Sequence, residues 1–78
     1  MANTNPLVEL NKVKIDGLNS SVATIDEAVK QPKTEDLARA VYSNVHHLED
    51  ALEFLKVIKL DDKVYTKAIA TGRKFLNS

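Results

Sequence analysis

Cysteine is absent from the chain, which excludes disulfides and thiolate metal sites and fits a reducing compartment. Tryptophan is absent too, and Tyr42, Phe54, Tyr65 and Phe75 are the only aromatic residues. Two glycines and two prolines leave little of the turn chemistry that separates strands in a β-protein. No apolar run approaches the ~18 residues of a membrane span, so no membrane partner is expected. Met1–Pro6 has neither the basic nor the apolar region of a secretory leader, and the cytoplasm is the expected location. Formal net charge is zero, whereas nucleic-acid binders carry a clear basic excess. Nucleic acid is therefore not an expected partner.

What is present is apolar periodicity at helical spacing. Val8, Ile15, Val22 and Val29 recur every seven residues, and Leu18 and Ile25 fall three after two of them. That is an a/d seam, with Leu7, Leu10 and Val13 widening it near the start. Asn5-Pro6 reads as an N-cap and first helical residue, and Pro32 ends the segment. Gly17-Leu18-Asn19-Ser20-Ser21 reads either as a loop splitting two short helices or as part of one helix, straight or bent at Gly17, and the undisturbed seven-residue register favours the single helix. A second seam reads Ala38, Val41, Val45, Leu48, Leu52 and Leu55, with Thr34 as its cap and Glu35 and Asp36 in its first turn. The two seams predict an antiparallel hairpin across Gln31–Lys33.

Asp61-Asp62 reads as a cap for a third helix carrying Val64, Ala68, Ile69, Phe75 and Leu76, because paired Asp suits a cap better than a helix interior. The expected fold is all-α: one domain over 1–78, a helical hairpin plus a C-terminal helix, completed by oligomerisation in one reading. The helices are placed at about 6–30, 34–60 and 62–76. A domain this small buries only roughly 60% of its unfolded surface, so its intrinsic stability is modest.

Chemistry-bearing clusters are sparse. His46-His47 with Glu49, Asp50 and Glu53 is the one group with metal-ligand atoms, and a helix face offers two of them where zinc needs three or four. No metal and no cofactor is expected. Ser43 stands three residues from His46, but no nucleophile turn or oxyanion hole surrounds it. Thr71-Gly72-Arg73-Lys74 lacks the strand and glycine spacing of a phosphate loop. An enzyme is not expected.

Charge is more informative. Residues 34–53 carry five acids against Arg39 alone, and residues 54–78 carry six bases against Asp61 and Asp62. Lys56, Lys59, Lys63 and Lys67 step by three, four and four, and would form one stripe on a continuous helix. Three readings compete for these six bases: the leading one is that they satisfy helix C-termini, and the others are charge-matched self-association and an anion-binding face. The expected function is a non-catalytic interaction module, a small regulator or inhibitor that binds a protein partner or itself. Tyr42, Phe54, Val57 and Tyr65 would supply apolar contact, and Lys56, Lys59, Lys63 and Lys67 steering. The alternative is an oligomer holding a small anionic ligand, such as a nucleotide, between basic helix ends.

The stretch Ala28-Val29-Lys30-Gln31-Pro32 through Leu37-Ala38 sits between two helices, the second of them long. This outline is similar to that of type III secretion needle subunits. The resemblance covers about a dozen residues, and Asp61-Asp62 interrupts the long second helix that those subunits keep unbroken. It carries no functional residue across.

Overall fold

The computed structural model describes residues 6–78, which form four helices and no strand: α1 (Pro6–Leu10), α2 (Lys12–Ala28), α3 (Glu35–Val57) and α4 (Lys63–Leu76). Each packs against at least one other. Pro6 opens α1, where its missing N–H would have had no partner in any case. The cap expected at Asn5 lies outside the described residues.

The first helical segment breaks at Asn11, six residues before Gly17, the position that the sequence offers for a loop or a bend. Asn11 leaves the helical region at φ −110°, ψ 23°, and its Nδ2 donates to the Leu7 carbonyl at 2.8 Å. The same amide bond from Asn44 Nδ2 to Ala40 O leaves α3 continuous, so this bond accompanies the break without accounting for it. The register survives because the Asn11 N–H also reaches Leu7 O, and the Ile15 N–H reaches Asn11 O. Gly17 lies inside α2, exposed, with open space where a Cβ would stand. Gly17→Ala should therefore raise stability by about 0.5–1 kcal/mol. The change would be read as a higher urea midpoint at unchanged slope.

Thr34 caps α3 as its sequence predicts. Its Oγ1 accepts the Leu37 N–H at 3.1 Å, and Glu35 and Asp36 occupy the first turn, where the helix dipole favours negative charge. The other end of α3 closes in a Schellman turn. The Leu60 N–H bonds Leu55 O at 3.0 Å and the Lys59 N–H bonds Lys56 O at 3.1 Å, while Leu55 and Leu60 both join the apolar core. This turn needs one residue in the left-handed region, and Lys59 takes it at φ 59°. A side chain there costs about 1–2 kcal/mol that glycine avoids. Lys59→Gly is accordingly expected to raise the thermal midpoint by about 4–8 °C for each kcal/mol recovered, provided no contact of the lysine is lost. The Asp pair then starts α4: Asp61 Oδ1 accepts the Lys63 N–H at 2.9 Å.

Helices α2 and α3 are antiparallel. Lys14 faces Phe54 at one end, and Thr24 and Ala28 meet Leu37 and Ala40 at the other. Helix α4 runs antiparallel to α3 and parallel to α2, since Gly72 approaches Val41 and Val45, Tyr65 reaches Asn19 and Phe75 lies by Val29. Leu18, Ile25, Val41, Leu48 and Leu55 are the fully buried side chains at the centre. Gly72 permits the closest approach, because a Cβ there would overlap Val45 Cγ2 and stand 3.2 Å from Val41 Cγ1. Lys33, in the α2–α3 connection, reaches across to the end of α4, where its Nζ donates to Leu76 O at 2.9 Å and Ser78 O at 3.0 Å. That ammonium satisfies carbonyls a helix C-terminus leaves open.

The α4 stripe differs from the expected one by a residue. Tyr65, Ala68, Ile69 and Gly72 are buried, whereas Val64 is 60% exposed. Spacing of i, i+3, i+4 and i+7 starting from Tyr65 places the larger ring inside, and an aromatic ring buries more apolar area than valine.

Candidate functional site

The residues proposed from sequence for partner contact separate into three groups. Tyr65 does not lie on the surface. It is buried, and its hydroxyl donates to Asn19 Oδ1 of α2 at 2.6 Å. Burial holds its pKa above the ordinary tyrosine value. The unfolded chain therefore deprotonates first, so the folded state binds more protons once pH passes about 10. Stability contributed here is complete below that pH and falls as pH rises toward the folded value. Tyr65→Phe should cost about 0.5–1.5 kcal/mol at neutral pH and reduce the alkaline decline, both measurable by urea titration across that range.

Phe54 is half-buried. Lys14 Nζ stands over its ring, 4.4 Å from the centroid, a cation–π contact. The two residues wall a cleft of about 180 Å³ with Leu18, His47, Asp50 and Ala51. Tyr42 and Val57 are on the surface, 57% and 71% exposed. Tyr42 meets His46 edge-on at 4.5 Å between ring centroids, and His46 Nδ1 lies 3.9 Å from Glu49 Oε1. The other oxygen of Glu49 pairs with Arg73, tying α4 to α3. Among the described residues no three of His, Asp and Glu converge as a metal site.

The four lysines do not form the single stripe that a continuous helix would give. Helix α3 ends at Val57 and α4 begins at Lys63, so Lys56 and Lys59 belong to the α3 end and Lys63 and Lys67 to α4. Lys56 approaches Glu53 at 3.8 Å. A different basic row replaces the stripe. Lys63, Lys67 and Lys74 stand at i, i+4 and i+11 on α4, on the side opposite Tyr65 and Gly72 by helical period. All three are exposed, and none has an ion pair among the described residues. Helix α4 contains no acidic residue at all.

Four apolar residues expected on the seams are exposed instead: Leu7 at 42%, Leu10 at 82%, Val13 at 87% and Val64 at 60%. Val13 faces away from Ile15, Leu18 and Ile25 by helical period within α2, and α1, which ends at Leu10, has no buried residue. A groove of about 380 Å³ runs between α2 and α3 and is lined by Ala23, Thr24, Ala28, Leu37 and Ala40 among others. It contains no base. The other three described grooves contain one each: Lys14, Lys67 and Lys74. No helix among the described residues is long and apolar enough to cross a membrane.

Comparison with protein-family models, curated protein sequences and solved structures gives no match for this chain, and the likeness of residues 28–38 to needle subunits gains no support from them.

Proposed function

We propose that the chain is a non-catalytic interaction module. In this reading α2, α3 and α4 form a three-helix scaffold with α1 appended. Its outer faces bind a protein partner or a second copy, and so adapt, inhibit or assemble a larger complex. The observation that carries the reading is the pair Leu10 and Val13, 82% and 87% exposed. They stand three residues apart, close enough to act together on one flank. Single exposed apolar residues are ordinary on a protein surface, whereas grouped ones mark contact sites. Val57 and Val64 add two more at the turn joining α3 to α4. In the alternative reading, bases from neighbouring copies would converge on an anionic small molecule, and three of the grooves would each contribute one: Lys14, Lys67 and Lys74.

The test is site-directed photocrosslinking in the native cell. A photoreactive side chain replaces Val13, Val57 or Val64 in turn, with Lys30 as an outward control on α2. Discrete crosslinked products at the apolar positions, absent at the control, are the expected result. If none of the three positions gives a product, the interaction reading fails.

A further inference from the structure

We propose that the partner on one face is a second copy of this chain, with the basic outer face of α4 docking on the acidic outer face of α3. The inference rests on the interaction reading above and names its partner. Lys63, Lys67 and Lys74 supply the basic face. On α3, helical period places Asp36, Asp50 and Glu53 away from the buried Val41, Val45, Leu48 and Leu55, and the one base between Asp36 and Glu53, Arg39, is paired with Glu35 at 2.9 Å. All three acids are exposed, and Asp36 and Asp50 have no ion pair among the described residues.

The two faces point outward from neighbouring helices of one core, so a single chain cannot bring them together. Contact between copies can. Lys63 and Lys74 are eleven residues apart, about 16 Å along a helix. Asp36 and Asp50 are fourteen apart, about 21 Å. The flexible lysine stems take up the difference. Net charge is zero, so copies approach without the long-range repulsion that an acidic or basic protein would feel. The same zero balance disfavours nucleic acid and anionic lipid, which reward a basic excess. Arg73 and Glu49 already join α4 to α3 within the chain, and the proposed contact repeats that pairing between molecules.

Two copies that exchange the contact reciprocally close as a two-fold dimer, and a head-to-tail contact gives a ring or an open chain. Light scattering on the full chain tests it. At about 0.01 M ionic strength, where the Debye length is about 30 Å, weight-average mass should rise with concentration to at least roughly twice the monomer. At about 1 M, where screening acts within about 3 Å, it should return to 8.7 kDa. The triple variants K63E/K67E/K74E and D36K/D50K/E53K should each stay monomeric, and an equimolar mixture of the two should regain the mass. Circular dichroism checks the helices of each variant, and Lys→Gln and Asp→Asn sets replace any that unfold. A wild-type chain that is monomeric at low salt overturns the proposal, as does association that survives the charge reversals, or a mixture that fails to associate. Low-salt binding to duplex DNA or anionic vesicles without self-association would assign the basic face elsewhere and also overturn it. Crosslinking to a foreign protein at Val57 or Val64, with the purified chain monomeric, would sink the copy–copy contact and leave the interaction reading standing.

Discussion

Leu48→Ala should lower unfolding free energy by about 2–5 kcal/mol, the range for removing a buried leucine from a core that relaxes only in part. Leu48 has no exposed surface, and it lies near the middle of α3, the helix that packs against both α2 and α4. Native domains hold about 0.05–0.15 kcal/mol per residue. For 78 residues that is about 4–12 kcal/mol, so this substitution removes a large part of the total. A two-state urea titration should show a much lower midpoint with the slope retained. A loss of under about 1 kcal/mol would mean that Leu48 is not central to the core.

Gly72→Leu should cost about 3 kcal/mol or more, by the opposite mechanism of overpacking. Even a Cβ would overlap Val45, with Val41 close behind. Valine is stiff at χ1, so neither side chain can swing clear. Helix α4 would have to move off α3, taking Ile69 and the Arg73–Glu49 pair with it. Leucine is a better helix former than glycine by about 0.8–1 kcal/mol, which offsets only part of that cost. The thermal midpoint should fall by about 4–8 °C per kcal/mol. Gly17→Ala serves as the internal control. It is also a helical glycine, but nothing lies near its missing Cβ, and the sign of its effect should be reversed.

The helices were legible because their signals are local. Thr34 with two acids after it, Pro32 before it, and the three-and-four steps from Ala38 to Leu55 each act within a turn or two. The Asp61-Asp62 break was also legible, since Asp favours the cap over the interior. The break at Asn11 was not legible, because the seven-residue register runs through it unchanged. Tyr65 and Val64 exchanged places because adjacent apolar residues fit the stripe about equally, and the choice depends on how α4 meets α2. The difference between Gly17 and Gly72 is invisible in sequence, because both sit in helices and only tertiary approach separates them.

The charge pattern misled for a topological reason. Along the chain, acids precede bases, which looks like a molecule with two opposite ends. Antiparallel packing lays α4 beside α3, so Arg73 comes to Glu49 and the end-to-end separation becomes one between faces. Lys56 and Lys59, counted with the basic block, are set apart from Lys63 and Lys67 by the turn that ends α3.

The reach of Lys33 to the end of α4 also shapes the order of folding. The α2–α3 hairpin joins neighbours in the chain and can close early, since short loops are the least costly in entropy. Lys33 meets Leu76 and Ser78 across separations of 43 and 45 residues, and Asn19 meets Tyr65 across 46. These are late contacts. They close the α2–α4 seam, and because α3 joins α2 and α4 through equally short connections, that seam is where amide protons should exchange through partial opening, with either hairpin retained.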